Sequence, residues 1–383
     1  MKRVLVLGIS MTLAGMLLLA ARPQPAEAGQ GFAGGDYKIL APISHGDLTI
    51  FPVVASKVHD TTDFLTLDEG IRSGQVVVTE VGHIRPLFRR RTTVIPPQGS
   101  GAEVNRLVLV NNSKHPLILL AGEVVTGGKQ DRLVGKDRII PPESDPVDLS
   151  VFCVEHGRWV ESSQKFDTHA SVMAQPSVRG KAMVSNNQQK VWDEVGTSNR
   201  NMAYNTQAIV TRNYSASQTL SAEAASPMAE LRKLDNTTSY AKTRENKVIQ
   251  QQVDDIVQPM QKSYESVIKQ LRDQNAVGVV VAVKGRIIWA DIFASNALLS
   301  KYWPKLLQSY AAEALSATGE RLEITAKSAQ QFLDNSQTTH EVVDSEPGLY
   351  RQTEMTGDRF KVFELTSLLP KQNFDVHLSK IAD

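Results

Sequence analysis

The sequence predicts an α+β protein in which an antiparallel, sandwich-like β core is joined by a long kinked amphipathic helix and by C-terminal helices and hairpins. Three observations carry that reading. Short apolar runs follow one another from residue 41 to 160, with turn residues and no helical pattern between most of them. From Arg244 to Leu271 the apolar residues recur at intervals of three and four. Two further apolar runs meet across Lys284-Gly285-Arg286, the layout of a buried hairpin.

In chain order, Lys2 and Arg3 precede an apolar run from Val4 to Ala21 and a polar stretch ending Ala26-Glu27-Ala28. This is the layout of a secretory signal peptide cleaved after Ala28, which predicts an exported protein, periplasmic or extracellular. No later apolar run approaches spanning length, so no transmembrane segment is expected after cleavage. A glycine-rich lead-in over 29–40 precedes the strand LTIFPVVAS, which starts at Leu48. A short helix is predicted over Leu67 to Arg72, opened by Thr66 with Asp68 and Glu69 in its first turn. Strands are then expected over Arg106 to Val110, Pro116 to Val125, Asp131 to Ile140 and Asp148 to Val154. Residues 160–243 are rich in Ser, Asn, Gln and Thr and read as loop or mobile surface, with Val191-Trp192 and Met202 to Ile209 able to dock on a core.

Pro259 is expected to kink or split the amphipathic helix. Beyond the hairpin, a helix from Ala297 to Ala317 is expected to restart at Pro304, and a shorter helix lies near Ala326 to Leu333. Two terminal strands, Glu341 to Val343 and Arg359 to Leu365, flank a turn-rich segment.

Composition narrows the function. The formal net charge is +1, and removing a leader that holds Lys2, Arg3, Arg22 and Glu27 keeps it near zero. No nucleic-acid partner is expected, because phosphate binding needs a surplus of Lys and Arg. Arg85, Arg89, Arg90 and Arg91 form a local basic patch that reads either as a charged strand edge or as an anion contact. Cys153 is the only cysteine, which rules out an internal disulfide and leaves stability to a core.

Two stretches point to a site: LLAGEVVTGGKQDR, from Leu119 to Arg132, and VFCVEHGRW, from Val151 to Trp159. In each an apolar run ends in a charged, glycine-containing turn, the form of a buried strand delivering polar groups to a surface. A phosphate-loop reading of Gly127-Gly128-Lys129 fails: Glu123 stands where the first glycine belongs and Gln130 follows the lysine. Cys153 lies in a strand apolar on both faces and reads as a buried, inert thiol. The histidines are scattered, so no metal site is predicted, and no cofactor is identified. If the two turns meet, Glu123, Lys129, Gln130, Arg132, Glu155, Arg158 and Trp159 form a ligand-binding set. Arg132, Lys129 and Arg158 would hold an anion, Trp159 would stack on a ring, and Glu123 or Glu155 would orient a polar group or act as acid or base. If they do not meet, they are surface turns whose charges pair among themselves.

These motifs, with GVVVAVKGRIIWADIFAS and YWPKLLQSYAAEAL, resemble the ARG and rhodanese-phosphatase-superfamily-associated protein domain family over residues 41–367. The family pattern runs close to GEELVGAKQNR where this chain has GEVVTGGKQDR, and it has a Cys, Glu, Gly, Arg, Trp run where this chain has CVEHGRW. Val124 replaces an acidic residue and Asp131 an asparagine. The resemblance implies one composite domain, β-rich over 41–160, polar over 161–243 and helix-and-hairpin over 244–367, followed by a C-terminal tail over 368–383. Its association with ADP-ribosylglycohydrolases implies a small anionic ligand such as ADP-ribose, another nucleotide or a sugar phosphate. The competing expectation is a non-catalytic module that binds an envelope protein partner through its polar middle and long helix.

Overall fold

The computed structural model describes residues 37–81, 106–158, 161–168, 172–216, 225–271 and 274–383. The expected leader and its expected cleavage point, Arg85, Arg89, Arg90, Arg91 and Trp159 lie outside the described residues.

The first half of the chain is mostly strand: β1 (Lys38–Ile39), β2 (Ile43–His45), β3 (Leu48–Ala55), β4 (Leu65–Thr66), α1 (Leu67–Arg72), β5 (Val76–Thr79), β6 (Arg106–Asn111), β7 (Leu117–Leu119), β8 (Val124–Val125), β9 (Arg132–Val134), β10 (Arg138–Ile140), β11 (Val147–Cys153) and β12 (Lys165–Phe166). Helices follow: α2 (Pro176–Ser185), α3 (Gln188–Ala216), α4 (Ala225–Arg232), α5 (Tyr240–Glu245) and α6 (Lys247–Ile268). The chain then forms β13 (Asn275–Val283), β14 (Arg286–Phe293), α7 (Asn296–Ser316), α8 (Ala326–Asp334), β15 (Thr338–Glu346), β16 (Tyr350–Gly357), β17 (Phe360–Leu369) and β18 (Gln372–Ala382). The α+β class is as the sequence predicts.

The strands divide differently from the expected order. An antiparallel nine-stranded sheet runs β1-β3-β13-β14-β18-β17-β16-β15, with β2 also paired to β3. A six-stranded antiparallel sheet runs β12-β5-β6-β11-β9-β8, and a small sheet β10-β7-β4 contains one parallel pair. The β-rich segment is therefore shared: its first three strands complete a sheet built mainly by the end of the chain. β3 and β13 can be central because they are apolar on both faces. Leu48, Ile50, Val279 and Val281 join the core cluster that includes α3, α6 and α7, while Phe51, Val53, Val280 and Ala282 join the opposite cluster with Ala329 of α8. The β13–β14 hairpin turns where expected, with Lys284 (φ 51°) and Gly285 (φ 75°) both in the left-handed region that a two-residue hairpin turn demands.

Thr66 caps α1 as predicted, in a reciprocal capping box with Glu69. Neither proline splits its helix: α6 continues through Pro259 and α7 through Pro304. Burial of Ile249, Val253, Val257, Met260 and Tyr264 along one stripe of α6 offsets the single lost backbone bond. Residues 161–243 are largely helical in their described parts, and Val191, Val195 and Met202 of α3 lie in the main core. Polar composition misleads there because a helix needs only one apolar stripe.

Two long predicted strands are each cut in two. Residues 116–125 break at the Leu120–Glu123 turn, where Gly122 takes φ 96° and a side chain would lie 2.7 Å from Arg179. Residues 131–140 break at Gly135-Lys136-Asp137, sending β9 and β10 to different sheets. The expected tail, 368–383, holds β18, which sits between β14 and β17.

Candidate functional site

The two charged turns meet. β11 pairs with β9 so that Cys153 lies opposite Arg132, which brings the residues after Cys153 beside the Gly127–Asp131 turn. Arg158 joins them: its Nε donates to Glu155 Oε2 (2.7 Å), its Nη1 to the Gly128 carbonyl (3.1 Å) and its Nη2 to Asp131 Oδ1 (3.3 Å). A third element closes the wall, since Tyr240 N donates to the Val154 carbonyl and Ser239 Oγ to Asp131 Oδ2. Between these parts lies an open cavity of about 380 Å³. Its described lining carries the carboxylates of Asp131, Glu155, Asp167 and Glu245 against the cations Arg158 and Lys242, with Ser162 and Ser163 at one side. Burial, reinforced by the Glu155 carboxylate, pushes the Asp131 carboxyl up to about 6, against the pull of Gly127 N–H and Arg158.

The expected site residues divide. Glu155 and Arg158 line the cavity. Lys129 lies beside it and is anchored by its backbone N–H on Glu80 Oε1 (2.7 Å). Gln130 and Arg132 point inward instead. Arg132 is fully buried, donates through Nη1 to the Gln130 carbonyl (2.8 Å), and leaves Nε and Nη2 without hydrogen-bond partners among the described residues. Asp131, just before β9, lines the cavity, and Arg132, the first residue of β9, turns to the interior, so the anion-holding role expected of Arg132 is not available at that surface. Cys153 is buried, and burial pushes its thiol up to about 11, so it is not poised as a nucleophile. The His156 ring packs edge-on against Trp192, with ring centres 4.6 Å apart.

Glu123 belongs to a separate, buried ion cluster. Its carboxylate accepts from Leu120 N (2.7 Å) and contacts Lys305 Nζ, which also donates to Asp68 Oδ2 at 2.8 Å. Burial raises Glu123, and one ammonium cannot fully offset two carboxylates. Lys305 is held above its ordinary value because Glu123 and Asp68 outweigh the opposing effect of burial.

Next to it, across the Leu120–Gly122 turn, lies a larger buried network that the sequence reading did not anticipate. Asp137 Oδ1 accepts from Ala121 N (2.7 Å), and Asp137 Oδ2 lies 2.6 Å from His377 Nδ1. His377 Nε2 reaches Asp291 Oδ1 (3.1 Å), and Asp291 also accepts from Arg179 (2.9 Å), Tyr310 (2.6 Å) and Ser379 (2.8 Å). Arg179 Nε returns to the Ala121 carbonyl (2.7 Å), and its guanidinium lies 4.6 Å from the Trp289 ring centre. Burial opposes the charge on Asp291, but Arg179 and His377 hold its carboxyl far below the usual range. Burial likewise opposes the charge on His377, yet Asp137 and Asp291 raise it above its ordinary value. The one sequence signal for this network was an aspartate inside the apolar run WADIF, since a buried charge demands partners.

A pH dependence follows with a definite sign. A histidine raised in the folded state stabilises fully below its unfolded value, about 6.5, and that contribution is lost as pH rises through the higher folded value. Urea unfolding at pH 6 and pH 9 is expected to show a larger loss of stability for the unmodified protein than for His377→Gln. Equal losses would remove the charge from His377.

Among the described residues no group of three or more His, Cys, Asp or Glu side chains is arranged to hold a metal ion. No described helix is long and apolar enough to cross a membrane.

Fold and site define the class: an α+β protein with buried ionic clusters in its core and an open, carboxylate-rich cavity. The chain belongs to the ARPP-1 family, the ARG and Rhodanese-Phosphatase-superfamily-associated Protein domain, whose model matches residues 36–381. That match extends past the expected limit of 367 and takes in most of β18, the strand that delivers His377 and Ser379. No curated protein and no solved structure matches the chain.

Proposed function

We propose that the protein is a small-ligand-binding domain, exported after cleavage near Ala28, whose site is the cavity between the Gly127–Asp131 turn, the Glu155–Arg158 turn and α5. The observation that carries this reading is the convergence of two charged turns, far apart in sequence, on one Arg158-bridged wall facing open space. The lining revises the ligand expected from sequence. In the described lining four carboxylates stand against two cations, and although Arg158 binds Glu155 and Asp131 and Lys242 lies 3.6 Å from Glu155, the surplus of negative charge favours a small cationic or amine-bearing molecule over a nucleotide or sugar phosphate. Arg158 organises the wall, Glu155 and Glu245 supply charge, and Asp131, with its proton held to about pH 6, is placed to exchange a proton with a bound amine. Packing of α3 into the core weakens the alternative in which residues 161–243 act as a mobile segment for an envelope partner.

Thermal-shift measurements against putrescine, glucosamine, ADP-ribose and glucose 6-phosphate test the proposal. An amine at a hundredfold over its dissociation constant is expected to stabilise the fold by about 2.7 kcal/mol. Glu155→Gln is expected to weaken that stabilisation. If only ADP-ribose or glucose 6-phosphate stabilises the protein, the cationic reading is wrong and the anionic one takes its place.

A further inference from the structure

The sheets end in short strands except at one place. Among the described residues the edge strands β1, β2, β4, β8, β10 and β12 are two or three residues long, whereas β15, the last strand of the nine-stranded sheet, has nine. A short edge resists pairing with another chain; one of nine residues presents about 30 Å of backbone with a free row of N–H and C=O groups. β15 (TTHEVVDSE) contains neither the proline nor the lysine that commonly blunts an edge, and all nine of its residues are exposed.

Apolar surface gathers at the same edge. Val342 and Val343 are half-exposed, and Val342 lines a cavity of about 310 Å³ together with Val184, which is also exposed. These three make up half of the large apolar side chains exposed among the described residues. Such a gathering marks a surface that another chain covers.

The sequence of the strand points to which chain that is. Residues directly opposite in an antiparallel ladder are either both hydrogen-bonded or both not, so a strand that pairs with its own copy sets one residue opposite itself. A two-fold centred on Val342 pairs all nine residues. It sets His340 opposite Asp344 at two positions and Val342 against Val342, with no like charges directly opposite. Centring on Glu341 would set that carboxylate against its own copy, and centring on Val343 would leave Thr338 and Thr339 unpaired. Asp344 contacts Lys136 of its own chain yet keeps 59% of its side chain exposed, so it can meet His340 as well.

We infer that the protein forms a two-fold dimer through β15, in which two nine-stranded sheets join into one continuous antiparallel sheet across Val342. Both copies use the same edge and the other edges are short, so the contact closes at two copies. No residue of β15 lines the acidic cavity, so dimer formation and amine binding are separate properties.

Sedimentation velocity of the full chain at about 1 to 100 µM, the range suited to a small interface, tests the inference. The mass is expected to rise from one chain to two and no further. Val342→Lys sets two ammoniums face to face on the two-fold and is expected to raise the dissociation constant about tenfold or more, with the melting temperature unchanged because the side chain is exposed. A charge exchange reads the register. At about pH 6, where most imidazole is protonated, His340→Asp brings carboxylates opposite one another and Asp344→His brings imidazoliums together. Each variant alone is expected to be monomeric, and an equimolar mixture is expected to form a heterodimer, because opposite charges then meet at both positions. A chain that stays monomeric at about 100 µM, a dimer indifferent to Val342→Lys, assembly beyond two copies, or a mixture no more associated than its components overturns the inference.

Discussion

Replacing Arg179 by methionine is expected to cost about 3–5 kcal/mol of stability, because it strips a buried carboxylate of its cation while leaving the carboxylate in place. Asp291 and Arg179 are both fully buried and 2.9 Å apart. Without the guanidinium, Asp291 keeps Tyr310, Ser379 and His377 as partners, which leaves one formal positive charge to face Asp291 and Asp137 together. The Ala121 carbonyl also loses the Nε donor that holds the Leu120–Gly122 turn against α2. Urea denaturation measures the effect, and a loss below about 1 kcal/mol would mean that the network contributes no more than an exposed ion pair. The cost should be smaller when Asp291 is changed with it: in Arg179→Met/Asp291→Asn no unpaired charge is left inside, and the shortfall from additivity measures the coupling.

Lys305→Met is expected to show the second large effect, again about 3–5 kcal/mol, since two buried carboxylates, Glu123 and Asp68, then face each other without an ammonium. Glu123 already sits above its ordinary value, so in the variant it should take up a proton on folding, and the destabilisation should grow as pH rises. Glu123→Gln keeps the bond from Leu120 N and removes one of the two negative charges, so it should be far milder than Lys305→Met and should partly rescue it in the double variant. Equal, additive losses for the two single variants would show that Glu123 and Lys305 act independently. The experiment also decides how the GEVV motif is read. A structural ion cluster moves stability; a ligand contact moves affinity with stability unchanged.

Much of the fold is legible in the residues because the relevant forces are local. Thr66 with Glu69 specifies the start of α1, Lys284-Gly285 specifies a hairpin, and the two-sided apolar runs of β3 and β13 require burial on both faces. The readings that differ fail for a common reason. Pro259 and Pro304 are helix breakers by local rule, and the packing of α6 and α7 overrides them. Residues 368–383 read as a tail because His377, Ser379 and Lys380 are polar, and in β18 those side chains are buried.

The candidate site follows the same division. The sequence by itself determined that the turns at 127–131 and 155–158 carry polar groups out of buried strands, and that Cys153 is buried. It could not say on which side of β9 each residue falls. A period of two sends Asp131 to the cavity and Arg132 to the interior, and a shift of one residue would exchange them. Nor could it pair Asp137, Arg179, Asp291 and His377, which come from four separate elements or turns spread over 240 positions. Periodicity and turn chemistry act over a few residues and are written in the order of the chain. The partners of a buried charge are chosen by which elements pack together, and here only the closing of the nine-stranded sheet by β18 brings them within hydrogen-bonding distance.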